Sequence, residues 1–172
     1  MLLALTLERI ATPIGTMLVL TDDETGLRAL DWDDHEDRLN RLLRLHYATN
    51  FTVSDARHPS PARRALDAYF DGNLTAIDKL AVETAGTPFQ RAVWAALRQI
   101  PVGTTTTYGA LANMIDRPKA VRAVGAANGA NPVGIVVPCH RVIGANASLT
   151  GYGGGLHRKH WLLRHEGALP DT

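Results

Sequence analysis

The sequence predicts a two-domain α+β protein. Extended segments divided by turn residues dominate the beginning of the chain, and apolar residues at helical spacing dominate the remainder. The charge changes at the same place, since residues 1–85 carry 9 Lys/Arg and 14 Asp/Glu whereas residues 86–172 carry 9 Lys/Arg and 3 Asp/Glu. A chain of 172 residues can hold two small domains, which we assign to residues 1–80 and 86–172.

The first domain begins with a small predicted antiparallel sheet. Alternating apolar residues, interrupted by turn residues, are typical of strands joined by tight turns. The predicted strands are residues 2–10, 16–21 and 27–32.

Two amphipathic helices complete the first domain. One begins at His35, and the other opens at Pro59 or Pro61 and is closed by Asp71-Gly72. Residues 47–53 between them are ambiguous, with a short strand as one interpretation.

Nothing in this domain has catalytic spacing, so we interpret it as a scaffold. Asp31, Asp33 and Asp34 could be considered a metal site, but a solvated acidic loop is the better interpretation. Residues 73–86 are interpreted as the linker between the domains.

The second domain is predicted to be mostly helical and to contain a helix-turn-helix. Thr87 followed by Pro88 is a strong helix start, and Pro101-Val102-Gly103 ends that helix. Two shorter helices separated by a tight turn then have helix-turn-helix proportions. They are residues 108–115 and 119–128, with Asp116-Arg117-Pro118 between them.

The second of these helices has almost no bulk. Small side chains allow close approach to another surface, which is either a neighbouring helix or nucleic acid. Arg122 and the net charge of +6 of residues 86–172 favour nucleic acid, although a basic excess taken alone could be a solvated face. The small residues are Ala120, Ala123, Gly125, Ala126 and Ala127.

The end of the chain contains an extended run, two loops and a helix. After a turn at Asn131-Pro132, we expect residues 133–137 to form an extended buried run, with Cys139 just beyond it. The segments that follow are a reversal at Asn146-Ala147-Ser148, a glycine-rich loop at residues 151–155 and a helix at residues 156–166.

Cys139 is the only cysteine of the chain, so it forms neither an internal disulfide nor a thiolate metal cluster. It is therefore either an inert buried residue or a reactive nucleophile. His140 and Arg141 are groups of the kind that lower the pKa of a thiol, which favours the nucleophile.

The segment Pro138-Cys139-His140-Arg141-Val142 resembles the active-site signature of the O6-alkylguanine-DNA alkyltransferases. The similarity continues on both sides of this motif, in ordered agreement that chance rarely supplies. It includes residues 125–128, 131–132, 151–155 and 159–167.

This resemblance implies a ribonuclease-H-like N-terminal domain and a winged-helix-like C-terminal domain, as in the stand-alone bacterial form of the family. The zinc sites of other members use further cysteines, so we expect no metal site. We also expect no cofactor, because the cysteine itself receives the alkyl group.

The resemblance also implies how Cys139 is activated. In the family, a glutamate, a histidine, a water molecule and the cysteine form a proton relay, and Glu166 and His140 fall at these positions. Asn131 matches the residue that fastens the turn beside the cysteine. Tyr108 matches a tyrosine that helps rotate the nucleotide and lets guanine leave as a neutral species.

The helix that enters the minor groove in the family corresponds to residues 119–128. Arg122 matches the arginine that fills the stack vacated by the extruded nucleotide, and Ala123 and Ala127 are further predicted DNA contacts. The implied pocket positions are Gly134, where vertebrate members have a proline, and Val142, Tyr152 and Gly153.

The implied function is direct reversal of O6-alkylguanine, and to a lesser degree O4-alkylthymine, by irreversible transfer of the alkyl group to Cys139. The expected partners are double-stranded and single-stranded DNA that carry these lesions. We expect a monomer. We expect it in the cytoplasm, because the longest apolar runs are far short of a membrane span, the N-terminus reaches Glu8 and Arg9 too soon for a signal peptide, and the cytosol keeps a free thiol reduced.

Two other functions stay open from the residues alone. The helix-turn-helix could serve a DNA-binding regulator in which Cys139 is structural. Alternatively, Cys139 and His140 could belong to a cysteine hydrolase, although adjacent residues make a poor nucleophile and base pair and no oxyanion-hole pattern is recognisable.

Overall fold

The computed structural model describes residues 2–146, 149 and 151–169. The chain folds as two compact units, Met1–Ala85 and Gly86–Thr172. Residues 81–85, which lie outside both predicted domains, belong to the first unit. Among the residues described, no helix has the length and apolar character needed to cross a bilayer.

The first unit contains a four-stranded sheet in the order β3-β2-β1-β4. The three predicted strands pair antiparallel, as predicted, whereas the fourth pairs parallel with β1 and makes the sheet mixed. This fourth strand begins in the ambiguous segment 47–53, which contains the last residue of α1, a turn and the first residues of β4. The strands are β1 (Leu3–Thr12), β2 (Gly15–Thr21), β3 (Leu27–Trp32) and β4 (Phe51–Asp55).

Two helices accompany this sheet, α1 (Glu36–Tyr47) and α2 (Pro61–Phe70). Leu39 and Leu43 of α1 are buried in one cluster with leucines of β1 and β2, because apolar residues at helical spacing form one stripe. Pro61 opens α2, and the hydroxyl of Ser60 caps this helix by accepting a hydrogen bond from the Arg63 N–H.

Two sequence interpretations of this unit need revision. Asp31 is buried and forms an ion pair with Arg38, so it is a structural residue rather than part of a solvated loop. The predicted linker is also hydrogen-bonded to the sheet. The backbone N–H of Leu27 in β3 donates to the carbonyl of Ala81 in the linker, and the Leu27 carbonyl accepts from the N–H of Glu83, both at 2.9 Å. A sheet edge supplies these partners, which composition alone does not reveal.

The second unit is mostly helical, as predicted. Its first helix begins with the predicted cap, since the Thr87 hydroxyl accepts from the Gln90 N–H at 3.1 Å and Gln90 Oε1 accepts from the Thr87 N–H at 3.0 Å. The predicted reversal at Asn146-Ala147-Ser148 includes residues outside the described ones. The elements are α3 (Pro88–Leu97), β5 (Thr106–Thr107), α4 (Tyr108–Met114), α5 (Val121–Gly129), β6 (Val142–Ile143) and α6 (Leu156–His165).

Candidate active site

The segment before Cys139 is a buried tight turn, so the predicted extended run is wrong. The Val137 N–H donates to the Val133 carbonyl at 3.0 Å, a bond that reverses the chain. Ile135 adopts a φ of 69°, in the left-handed region that β-branched residues rarely enter.

The side chain of Asn131 holds this turn at both ends. Its Oδ1 accepts from the Val133 N–H at 3.0 Å, and its Nδ2 donates to the Val137 carbonyl at 2.8 Å. Asparagine commonly offers its own backbone such local partners, which compete with a strand. The hydrogen bonds of one polar side chain therefore override the apolar pattern that indicated an extended run.

Cys139, His140 and Arg141 form one turn of 3₁₀ helix, closed by a bond from the Val142 N–H to the Cys139 carbonyl. In this geometry successive side chains are about 120° apart, unlike those of an extended chain. The Cys139 side chain lies at the edge of the core and is 9% exposed, whereas His140 is 0% exposed. The turn thus places Cys139 at the boundary of the core and His140 wholly inside it.

Glu166, which follows the last residue of α6, joins the two residues that come after Cys139, His140 and Arg141. Its Oε2 lies 2.9 Å from His140 Nε2. Arg141 donates to the same carboxylate through Nε at 2.8 Å and Nη2 at 3.0 Å, and its Nη1 donates to the Ile100 carbonyl at 2.8 Å. The Glu166 side chain is fully buried, so this is an internal charged network.

The charges in this network determine which nitrogen of His140 is basic. Burial lowers the pKa of the His140 imidazole, so the ring is neutral at pH 7. Burial alone would raise the pKa of the Glu166 carboxyl, but His140 and Arg141 together hold it well below its usual range. An ionised carboxylate only accepts, so Nε2 carries the proton and Nδ1 has the free lone pair. Nδ1 is buried and has no hydrogen-bond partner among the described residues.

Lys159 is a buried cation of this region to which sequence reasoning assigned no role. Its Nζ donates to the Val142 carbonyl at 2.6 Å, and the residue is 0% exposed. A usable signal exists, because Leu162, Leu163 and Glu166 follow it at helical spacing and therefore share its face of α6. Lys159 thus belongs to the same face of α6 that reaches the Cys139 turn.

A short parallel ladder positions Tyr108. Thr106 pairs with Val142 and Thr107 pairs with Ile143. Tyr108 is the first residue of α4 and directly follows β5, so the ladder holds the start of α4 beside the strand that follows Cys139. Of the predicted site residues, Val142 therefore lies in the ladder and Tyr108 directly follows its other strand.

The predicted DNA-contacting residues of α5 divide between its exposed and buried faces. Arg122 and Ala123 are exposed. Ala127 is buried, and its carbonyl accepts from the Trp94 indole N–H at 2.8 Å, so Ala127 faces the interior of the unit. Gly125 faces Tyr108, whose ring lies 3.8 Å from where a Cβ would be. Some small residues of α5 therefore serve helix packing.

The other predicted pocket residues lie in two loops. Gly134 is half-buried in the turn held by Asn131, and its carbonyl accepts from the Val136 N–H at 2.8 Å. Tyr152 is half-buried and Gly153 exposed in the loop before α6, where the Tyr152 carbonyl accepts from the Gly155 N–H at 2.9 Å.

Lowering the pH below about 6.5 should destabilise the folded protein. The pKa of His140 is lowered from 6.5 on folding, so the unfolded chain takes up the proton more readily below that pH. The lowered pKa of Glu166 adds a further loss below about 4.5, where the unfolded carboxyl becomes protonated. Urea unfolding at a series of pH values measures this dependence.

The control for this experiment distinguishes two histidines. His46 also has a pKa lowered by partial burial, in the first unit. His140→Gln should flatten the pH dependence of the second unit between pH 7 and 5, and His46→Gln should not. Equal stability of the parent at pH 7 and pH 5 would contradict the assignment of a neutral buried His140.

Comparison with known proteins gives one consistent family. Its two models match consecutive parts of the chain: the 6-O-methylguanine DNA methyltransferase ribonuclease-like domain matches residues 6–84, and the DNA binding domain matches residues 88–168. The methylated-DNA–protein-cysteine methyltransferase of Salmonella typhimurium is 55% identical over 163 residues, which cover 94% of this chain and 95% of that protein.

Relatives with lower sequence identity belong to the same family. The methylated-DNA–protein-cysteine methyltransferase of Methanosarcina acetivorans is 46% identical over 158 residues, which cover 91% of this chain and 95% of that protein. Among solved structures, Mycobacterium tuberculosis OGT in complex with DNA superposes with a TM-score of 0.77 at 39% identity, over 96% of this chain and 93% of that one.

Proposed function

The chain belongs to the 6-O-methylguanine DNA methyltransferase family, and we propose that Cys139 is the residue that receives the alkyl group. The chain is a DNA-binding methylated-DNA–protein-cysteine methyltransferase that repairs DNA by direct reversal. The observation that carries the assignment of Cys139 is its place on a turn whose next two residues enter the buried network of Glu166.

The network supports a defined proton path. His140 Nδ1 takes the thiol proton through a bridging water, and Glu166 stabilises the imidazolium that forms. The thiolate attacks the alkyl carbon, and the bond from this carbon to O6 of guanine breaks as the S–C bond forms. The electron pair of the broken bond returns to guanine. Tyr108 donates a hydrogen bond to a ring nitrogen of guanine, and guanine takes up the proton that His140 removed from the thiol, so it leaves as a neutral base and His140 returns to its neutral form.

The measurement that tests this function is the intact mass of the protein after incubation with DNA that contains O6-methylguanine. The mass should increase by one methyl group per chain, because a thioether has no easy route back to a thiolate. An unchanged mass would contradict the proposal, and so would release of the methyl group as methanol with the thiol regenerated.

A base inside a duplex must be extruded before the thiol can reach it, at a cost of a few kcal/mol of unstacking. Arg122 is exposed on α5 and suits the role of filling the vacated stack, with the small Ala123 allowing close approach. The partners under this proposal are double-stranded and single-stranded DNA, and the substrates are O6-alkylguanine and, more slowly, O4-alkylthymine. The chain acts as a monomer in the cytoplasm, a compartment in which its single thiol stays reduced.

Arg122→Ala should slow repair of duplex DNA much more than reaction with free O6-benzylguanine. The free base needs no extrusion, so a residue that holds the extruded state contributes nothing to its reaction. Single-turnover rates on both substrates test this. Arg64→Ala, an exposed change of the same charge in the first unit, is the control. Equal losses on both substrates would contradict the role of Arg122.

Gly134→Pro should lower the rate for bulky O6-alkyl groups relative to methyl. A larger residue narrows the pocket on one side. An alkyl group that no longer fits should lose about 1 to 3 kcal/mol of transition-state stabilisation relative to methyl. Gly134→Ala is the control, because it adds a side chain without fixing φ. If the ratio of bulky to methyl rates stays constant in both variants, Gly134 does not set the width of the pocket.

A further inference from the structure

Lys159 is a fully buried ammonium group within the second unit. It is 0% exposed, although lysine is among the residues least often found buried. Removing an ammonium from water is unfavourable unless good acceptors or a negative charge compensate. Its burial therefore calls for a physical explanation, which the proton path through His140 and Glu166 does not supply.

The hydrogen bond of Lys159 ties it to the segment that carries the thiol. Nζ donates at 2.6 Å to the carbonyl of Val142. The N–H of the same Val142 closes the 3₁₀ turn by donating to the Cys139 carbonyl. One residue thus connects the ammonium to the backbone of Cys139, and the ladder with Thr106 keeps that residue in place.

The other basic side chains of this region, Arg141 and His140, are oriented toward Glu166. Arg141 donates two hydrogen bonds to the Glu166 carboxylate and one to the Ile100 carbonyl. These three bonds hold the guanidinium beside Glu166. His140 is neutral and bonds to the same carboxylate. The two buried cations therefore have different partners. Arg141 lies against Glu166, and Lys159 lies against the Cys139 turn.

The bond to Val142 holds the buried ammonium against the turn that begins at Cys139, so a thiolate of Cys139 is a counter-charge within reach of its field. Burial lowers the pKa of Lys159 to about 8, while the negative charge of Cys139 opposes this by raising it. Such an interaction is reciprocal, so an ammonium stabilised by a thiolate favours that thiolate equally.

We propose that Lys159 is the cation that stabilises the thiolate of Cys139 and so sets the fraction of protein ready to accept an alkyl group. This rests on the proposed role of Cys139 as the acceptor. Lys159 is a positioning residue, because it holds the Cys139 turn through Val142 and acts on the alkyl carbon only through the sulfur. Conversion of thiolate to thioether removes the negative charge beside Lys159, so the ammonium becomes a stronger acid in the product.

The unmodified protein offers a direct test, because the 172-residue sequence has three lysines: Lys79, Lys119 and Lys159. NMR of isotopically labelled lysine gives the pKa of each before and after Cys139 is blocked with methyl methanethiosulfonate. The Lys159 pKa should fall by about 1 unit on blocking, and dithiothreitol should restore it. The exposed Lys79 and Lys119 should not change. An unchanged Lys159 would overturn the proposal.

Two variants separate charge from packing. Lys159→Met should lower the rate of thiol labelling by iodoacetamide at pH 7 about 10-fold and move its pH midpoint upward, whereas Lys159→Arg should retain most of the parent rate. Equal losses in both variants, or a parental profile in Lys159→Met, would show that the lysine only fills space. If Lys159→Met does not fold, the NMR experiment decides. No DNA is present, so the result is independent of whether the protein accepts alkyl groups from DNA.

Discussion

Replacing Cys139 with alanine is expected to abolish alkyl transfer while leaving the binding of DNA intact. The chain has a single thiol, so no other residue can take over as the acceptor. Cys139 lies at the edge of the core, where loss of one sulfur atom creates only a small cavity. Intact mass after incubation with O6-methylguanine DNA measures transfer, and titration with the same duplex measures binding.

Cys139→Ser provides a matched control that keeps a polar atom at the site. It should also be inactive, because a serine hydroxyl is a much weaker nucleophile than a thiolate. Peptide mapping of the alkylated parent should place the added mass on the peptide that contains Cys139. Added mass on any other peptide, or guanine product in large excess over protein, would contradict single transfer to this residue.

Replacing Glu166 with glutamine is expected to destabilise the second unit by about 3 to 5 kcal/mol, the usual effect of removing one partner from a buried ion pair. The amide cannot compensate the guanidinium of Arg141, which bonds both carboxylate oxygens. Nor can it stabilise an imidazolium at His140, so transfer should slow about 100-fold. Urea unfolding measures the first effect, and single-turnover transfer at a temperature where both proteins are folded measures the second.

Two further variants identify the charge of Glu166 as the cause. Glu24→Gln makes the same chemical change at an exposed position and should alter neither property. Glu166→Asp keeps the charge on a shorter side chain, so it should fall between parent and Glu166→Gln. A Glu166→Gln protein that transfers at the parental rate would show that His140 acts without its carboxylate partner.

Local sequence signals predict those elements whose ends depend on adjacent residues. Thr87 and Gln90 cap α3 across three positions, and the prediction of that helix start is confirmed. The position of β4 is different, because it joins Leu3 to Phe51 in parallel register. Nothing within either strand specifies that partner, which depends on the whole fold of the unit.

In the candidate site, too, local sequence signals predict some residues, whereas other contacts depend on the whole fold. The motif around Cys139 identifies the cysteine and the histidine, and the structure brings Glu166 to the latter. The contacts of Arg141 and Lys159 could not be predicted, because they depend on the 3₁₀ turn and on the orientation of α6. The turn at residues 133–137 could not be predicted from sequence either, because the two hydrogen bonds of the Asn131 side chain determine it and the apolar spacing does not.

Under the proposed roles of Cys139, Glu166 and Lys159, the contacts of α6 also determine when a newly made chain becomes reactive. During synthesis Cys139 is added before Lys159 and Glu166, and a ribosome adding about 5 to 20 residues per second needs a few seconds to reach them. Until α6 docks, the imidazole has no carboxylate and the thiol has no neighbouring ammonium. We therefore expect the cysteine of a nascent chain to react as an ordinary thiol, and the proposed transfer to Cys139 to begin only after α6 has docked.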